Sequence, residues 1–182
     1  MPVILTIGHS TRPIADFLDL LRAHGADELA DVRTAPGSRR NPQFNKVALA
    51  AALAGAGVGY RHLGDLGGLR RPRPDSANTA WRNAGFRGYA DYMQTPEFAA
   101  ALQGLIDLAV TRRIAVTCAE AVPWRCHRSL IADALTVRGV AVEHIMGPGR
   151  RSPHALTPWA RVEGGRLTYP APDNAPQAQL DL

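Results

Sequence analysis

Short apolar runs alternate with segments of helical periodicity along most of the chain, and this alternation limits the fold more than any other feature. The apolar runs predict five strands, at residues 3–8, 28–33, 58–64, 113–120 and 140–145. The periodic segments predict helices from residue 14, at 46–57, at 89–93, from residue 95 and at 127–139. Strands that alternate with helices form a sheet covered on both faces. The expected fold is therefore α/β: a single domain of about five mostly parallel strands alternating with helices, of the three-layer, doubly wound type.

The chain divides unevenly in composition. Residues 1–146 carry the alternating pattern and predict the α/β domain. Residues 147–182 are rich in Pro, Gly and Arg and predict a C-terminal extension, disordered in its final stretch "APDNAPQAQLDL". A long irregular segment at 65–88 interrupts the domain, and such loops are usually functional or mobile.

Composition indicates a soluble, cytoplasmic protein. The chain has 182 residues, 46% hydrophobic and 20% charged, and no apolar run long enough to cross a bilayer. The start "MPVILTIGHST" lacks the charged leader of a signal peptide. Two cysteines in such a chain are expected to be free thiols, and no membrane partner is expected.

The formal net charge of +5 suggests an acidic partner, either a phosphate-bearing small molecule or a nucleic acid. A coding bias toward arginine explains the charge equally well. The oligomeric state is left open.

Polar residues stand where each predicted strand ends. The five exits carry Gly8-His9-Ser10, Asp31-Val32-Arg33, Arg61-His62, Cys118-Ala119-Glu120 and Glu143-His144. Right-handed crossovers bring the carboxyl ends of parallel strands to one edge of the sheet, where ligands bind in open sheets. The exits therefore predict a site, although strand ends are also polar simply because they meet water.

The densest chemistry lies in "AVTCAEAVPWRCHRSL". Cys126 is predicted at a helix N-terminus between Arg125 and Arg128, a setting that lowers the pKa of a thiol. The alternative is an unreactive residue beside a buried Trp124. Cys118, within an apolar strand, is expected to be an inert core thiol.

Several familiar motifs are missing. The Cys-x5-Arg pattern of phosphatases, the Walker A sequence and G-x-G-x-x-G do not occur. A zinc site would need His9 or His144 to complete the two cysteines, so zinc is the less favoured alternative. We predict no metal site and no cofactor.

Six motifs together resemble the bacterial family catalogued as domain of unknown function number 488. They are "TIGHS", "DVRTAPGSRRNPQF", "YRHLGDLGG", "FRGYADYM", "CAEAVPWRCHRSLIADAL" and "VEHI", which span about Thr6 to Ile145. The family carries no assigned reaction. The resemblance implies that the motif residues belong to one site, and these include Pro36, Leu66, Gly67 and Gly68 as well as the polar strand exits.

Three functions remain open, and the first two favour an enzyme. The leading one binds a phosphate-bearing or nucleotide-like substrate and uses carboxylate and histidine for acid–base chemistry. The second uses Cys126 as a nucleophile, with His9 as its base, because a neighbouring His127 on a helix would point about 100° away. The third is a non-catalytic nucleic-acid binder that uses arginine clusters and loop aromatics. The predicted catalytic residues are Glu120, Cys126, His9 and Asp31, and the predicted substrate-binding residues are Ser10, Arg33, Gly67, Gly68, His127 and Arg128.

Overall fold

A computed structural model describes residues 2–172 and contains one six-stranded sheet and a separate hairpin. The sheet strands are β1 (Val3–Gly8), β2 (Glu28–Asp31), β3 (Gly59–His62), β4 (Ile114–Cys118), β5 (Ala141–Gly147) and β6 (Arg150–Pro153). Their order is β3-β2-β4-β1-β5-β6. The first five strands pair in parallel, and β6 is antiparallel to β5.

Five helices cover the sheet: α1 (Ile14–Ala23), α2 (Lys46–Gly55), α3 (Ala84–Tyr92), α4 (Pro96–Thr111) and α5 (Arg128–Val137). The buried apolar residues fall into two clusters, one on each face. Side chains of α1 and α2 pack on one face and those of α3, α4 and α5 on the other. The predicted α/β class, with its mostly parallel three-layer arrangement, is confirmed.

The C-terminal extension continues the fold as far as it is described. After β6, the strands β7 (Arg161–Glu163) and β8 (Arg166–Thr168) form a hairpin. Leu167 and Tyr169 are buried in the cluster on the α5 face. The predicted disorder of the final stretch falls, from residue 173 onward, outside the described residues.

The ends of β1 and β4 are held unusually close together. Beyond the strands, His9 N–H donates to the Cys118 carbonyl at 2.9 Å, and Ser10 N–H donates to the Ala119 carbonyl at 2.9 Å. A side chain at Gly8 would collide with the carbonyl of Glu120, so this close approach requires glycine. Two strands separated by more than a hundred residues thereby present their polar exits side by side.

None of the helices within residues 2–172 is both long and apolar enough to cross a membrane.

Candidate functional site

A cavity of about 710 Å³ opens at the carboxyl edge of the parallel sheet. Residues from the ends of β1, β2 and β4 form its lining, together with the segment that leads into α5. Seven of the ten predicted site residues line it: His9, Ser10, Arg33, Gly68, Glu120, Cys126 and His127. Asp31, Gly67 and Arg128 lie behind this lining.

Asp31 is held in a closed, buried ion pair. Its carboxylate accepts two hydrogen bonds from the Arg33 guanidinium, at 2.6 and 2.8 Å, and another from the Tyr60 hydroxyl at 2.8 Å. Arg33 also donates to the Phe44 carbonyl at 2.8 Å. Asp31 is fully buried, so the structure gives it the position of an anchor that orients Arg33 at the cavity wall.

His9 stands beside this pair with both ring nitrogens engaged. Its Nδ1 lies 2.8 Å from the Ser10 carbonyl, and its Nε2 lies 3.3 Å from Arg33 Nη1. Because a carbonyl only accepts and a guanidinium only donates, Nδ1 carries the proton and Nε2 accepts. Burial and the nearby Arg33 charge lower the pKa of His9, and the ring stacks on Phe44 at 4.2 Å. His9 is thus a neutral ring whose free lone pair already faces Arg33.

Cys126 and His127 form a thiol–imidazole pair in the cavity. Cys126 Sγ lies 3.7 Å from His127 Nδ1, and His127 Nε2 lies 3.0 Å from the Val32 carbonyl. The carbonyl fixes the proton on Nε2 and leaves Nδ1 as the acceptor that faces the sulfur. The expectation that His127 is a poor partner for Cys126 is wrong, because α5 begins at Arg128 and His127 caps the helix with its ring turned back toward Val32.

The two thiols have opposite acidities. A hydrogen bond from the Cys118 thiol, together with the Arg128 charge, lowers the pKa of Cys126 to about 7 despite burial. The same hydrogen bond, together with burial, raises the pKa of Cys118 to about 12. Cys126 therefore supplies the thiolate, and Cys118 stays protonated beside it. Both cysteines are free and buried, as predicted for Cys118.

Arg128 is a buried cation behind the thiol pair. Its guanidinium donates to the Glu120 carbonyl at 2.7 Å, and its backbone N–H points at Cys126 Sγ at 3.5 Å. Within the described residues Arg128 Nε and Nη1 have no hydrogen-bond partner, and the side chain is 1% exposed. The N-terminus of α5 therefore directs its positive end at the Cys126 sulfur, which favours the thiolate.

Glu120, Gly67 and Gly68 lie around the thiol–imidazole pair and are not part of it. Glu120 is exposed at the cavity rim, and its carboxylate accepts from Val122 N–H at 3.3 Å. Gly67 packs against Thr34. At Gly68 an added side chain would lie 3.3 Å from His127 Nδ1, so this glycine keeps the imidazole accessible.

Two local expectations are wrong. Glu143 and His144 do not form a fifth exit, because β5 continues to Gly147 and places both residues within the strand. His144 instead lies 3.0 Å from His154, away from the cavity. Trp124 is 64% exposed, so it does not bury Cys126.

The arginine clusters predicted for nucleic-acid binding are Arg39-Arg40, Arg70-Arg71-Arg73 and Arg150-Arg151, and three of these seven side chains make intramolecular contacts. Arg39, Arg40, Arg71 and Arg150 are exposed. Arg70 stacks on Tyr92 at 3.6 Å, and Arg73 pairs with Asp75 at 3.0 Å. Arg151 pairs with Glu143 at 3.1 Å. The aromatic residues behave similarly: Trp81 stacks on Phe86 at 4.9 Å, and Tyr89 is buried.

Several residues of the cavity wall were not predicted from the sequence. Ser38 and Asn41 follow β2, and Asn83 precedes α3. Phe86 and Tyr89, which lie on α3 and also line the cavity, were predicted only as aromatics that could stack on bases. Ser38 and Asn41 stand in the motif "DVRTAPGSRRNPQF", whose polar residues after Arg33 were the available signal. Tyr60 gave no signal, because its contact with Asp31 depends on the pairing of β2 with β3.

Fold and site together define an α/β protein with a thiol–imidazole pair in a cavity at the carboxyl edge of its sheet. The family model described as Domain of unknown function DUF488 matches residues 13–135, and the chain belongs to that family. No curated protein and no solved structure matches the chain.

Proposed function

We propose that the protein is a cysteine-dependent enzyme in which Cys126 attacks an electrophilic carbon of an anionic substrate. The observation that supports this most directly is the 3.7 Å contact between Cys126 Sγ and His127 Nδ1 in an open cavity. A nucleophile within reach of a base, with the base oriented by a third group, is the arrangement of covalent catalysis. Here the third group is the Val32 carbonyl.

The same geometry favours nucleophilic catalysis by Cys126 over acid–base catalysis by carboxylate and histidine. The latter was the leading prediction from the sequence. Asp31 is enclosed by Arg33 and Tyr60, and the free lone pair of His9 accepts from Arg33. Glu120 has an accessible carboxylate but stands at the rim. We therefore assign Cys126 as nucleophile and His127 as base.

The reaction has two steps. Cys126 forms a bond to the substrate carbon while the bond from that carbon to the leaving group breaks, and the leaving group takes the thiol proton that His127 has held. For an ester the product of this step is a thioester on Cys126. Water then attacks the thioester and gives one proton to His127. The carboxylic acid leaves, and the Cys126 thiolate beside protonated His127 is the starting state.

A guanidinium group on the cavity wall supports an anionic substrate. Arg125 is exposed and lines the cavity, and guanidinium binds phosphate and carboxylate in a fork-like geometry. Arg33 also lines the cavity, but Asp31 already balances its charge. A phosphate-bearing small molecule is the ligand class that we propose for Arg125.

The test compares iodoacetate, which is anionic, with neutral iodoacetamide. Each forms an S–C bond and releases iodide, and intact mass spectrometry counts the modification. We expect the ratio of the iodoacetate rate to the iodoacetamide rate to be higher for Cys126 than for N-acetylcysteine, which serves as the reference thiol. Arg125→Gln should remove that preference, whereas Arg138→Gln, at an exposed arginine outside the cavity, should keep it.

The nucleophile itself is tested by substitution. Cys126→Ser and His127→Gln should slow modification at least about tenfold relative to Glu120→Gln. If His127→Gln leaves the rate of alkylation at Cys126 unchanged, the assignment of His127 as the base is wrong. If Glu120→Gln lowers that rate more than His127→Gln does, the carboxylate mechanism is favoured again.

Both cysteines are free, the state that a reducing compartment maintains, and this supports placement in the cytoplasm. A nucleic acid is the weaker choice of partner, because Trp81 and Phe86 stack on each other and Tyr89 is buried, so these aromatics are not free to stack on bases.

A further inference from the structure

We propose that Cys118, Cys126 and His127 form a zinc-binding site, with the fourth coordination position open to the cavity. The ligand atoms of these three side chains all lie within 4.8 Å of one another. Two thiolates and an imidazole are a ligand set that zinc prefers, and three protein ligands with one open position define a reactive zinc site. The site does not depend on the proposed function, since it follows from the positions of the ligand atoms.

The spacing requires little movement. With zinc–sulfur bonds of about 2.3 Å and zinc–nitrogen bonds of about 2.0 Å, tetrahedral ligand atoms lie ~3.5–3.8 Å apart. Cys126 Sγ and His127 Nδ1 are already 3.7 Å apart. The remaining ligand separations need to contract by no more than about 1.3 Å.

The surroundings of the histidine are those of a metal ligand. A ligating histidine usually donates its second ring N–H to a carbonyl or carboxylate, which fixes the tautomer and aims the other nitrogen at the metal. His127 does so toward the Val32 carbonyl at 3.0 Å. The sequence had pointed to His9 or His144, but Arg33 engages His9, and His144 lies within β5 beside His154.

Charge balance is compatible with zinc despite the buried Arg128. Zinc displaces the protons of both thiols to water, so the cation and two thiolates add no net charge beside the guanidinium. The Arg128 backbone N–H already points at Cys126 Sγ and can remain a hydrogen bond to a metal-bound sulfur.

Zinc and the nucleophile then compete for one sulfur. When zinc is bound, the Cys126 sulfur is a metal ligand and is protected from alkylation. In the metal-free protein the same sulfur is free to react. Cys118→Ser separates the two roles, because a serine hydroxyl can still donate a hydrogen bond to Cys126 but does not replace a thiolate as a zinc ligand.

The test uses the full chain, reduced with a phosphine and freed of metal by chelation. Zinc is titrated against a chromophoric chelator, with magnesium as a control cation. We expect one zinc per chain for the wild type and for His24→Gln, a histidine whose contacts lie with Gly147 and Arg151. Cys118→Ser, Cys126→Ser and His127→Gln should each weaken zinc binding more than about 100-fold.

A second measurement needs no variant. Zinc should protect Cys126 of the wild type from iodoacetamide, and a chelator should restore the reaction at Cys126. Cobalt should give the near-ultraviolet charge-transfer bands of thiolate ligands.

Three results would overturn the zinc site: no zinc bound at one equivalent, zinc retained by Cys118→Ser, or an unprotected Cys126 thiol in the presence of zinc. If the Cys118→Ser variant binds no zinc but is still alkylated at Cys126, both proposals are supported. Zinc binding by a wild type whose Cys126 is unreactive when metal-free would reject only the nucleophile.

Discussion

Two cysteines a few ångströms apart respond in opposite ways to the same surroundings. Cys126 faces the N-terminus of α5, the Arg128 charge and the imidazole of His127. Cys118 ends β4, donates its proton toward Cys126 and has apolar neighbours. Position along a strand or before a helix thus decides the chemistry of an identical side chain.

Cys126 should be alkylated well before Cys118 at neutral pH. With the pKa of Cys126 at about 7 and that of Cys118 at about 12, only Cys126 carries an appreciable thiolate fraction at pH 7. The rate at Cys126 should rise from pH 5 to pH 8 with a midpoint near 7. Peptide mass spectrometry after timed exposure to iodoacetamide measures both sites.

The control for this prediction is the same protein in guanidinium chloride. Unfolding removes the helix, the charge and the neighbour, so both cysteines should then react at similar rates. Equal labelling of the two thiols in the folded protein would refute the assigned environment.

Asp31→Asn should destabilise the protein by about 3–5 kcal/mol, because it leaves the buried Arg33 charge without a compensating carboxylate. Asp75→Asn is the matched control, since it breaks a fully exposed pair with Arg73 and should change little. Urea unfolding measures both variants. A loss of activity with unchanged stability in Asp31→Asn would return Asp31 to a catalytic role.

A chain of buried polar groups ties β1, α5, β5 and the C-terminal extension together. Thr6 lies 2.7 Å from His144, which lies 3.0 Å from His154, which lies 2.8 Å from Asp133. The Tyr169 hydroxyl donates to the second Asp133 oxygen at 2.8 Å. Because a carboxylate only accepts, His154 donates its Nε2 proton to Asp133.

This chain predicts acid sensitivity. Burial and the neighbouring His154 lower the pKa of His144 to about 4, from an ordinary 6.5. The unfolded chain therefore binds the proton first, so the stability that depends on neutral His144 is complete above pH 6.5 and falls as the pH drops toward 4, by at most about 1.4 kcal/mol per pH unit. Urea unfolding across this range measures the slope.

His144→Gln should flatten part of that slope, while His9, whose pKa is also lowered, keeps the remainder. A wild-type stability that rises as the pH falls from 6.5 to 4 would contradict the lowered pKa of His144.

The elements show what local sequence can predict. The apolar runs of β1 to β5 and the amphipathic pattern of α1 are visible in the chain, because burial on both faces of a parallel sheet demands continuous apolar residues. Strands β6 and β7 are exposed and arginine-rich, so their pairing arises from tertiary contacts that periodicity does not reveal. The sequence indicated the edge where the cavity lies, but a one-residue shift in the start of α5 decided which histidine meets Cys126.

At the scale of the whole molecule, the C-terminal extension behaves as part of the core. A chain shortened to residues 1–146 would lose β6 and the burial of Leu167 and Tyr169. It would also leave the Asp133 carboxylate without its hydrogen bonds to His154, Thr157 and Tyr169. We expect its melting temperature to fall by about 10 °C or more. Differential scanning calorimetry measures this.

Tyr169→Phe is the milder companion, because it removes one hydroxyl and should lower stability by about 1–3 kcal/mol. An unchanged melting temperature for the shortened chain would show that residues 1–146 fold independently and that the extension is an appendage.

The strand order carries a consequence for synthesis on the ribosome. Strand β4 lies between β1 and β2, so these first two strands have no hydrogen-bonded partner in common until β4 has been made. The nascent chain must emerge past Cys118 before the centre of the sheet can close. Until then, the edges of β1 and β2 that face β4 stay unpaired, and unpaired strand edges are prone to aggregation.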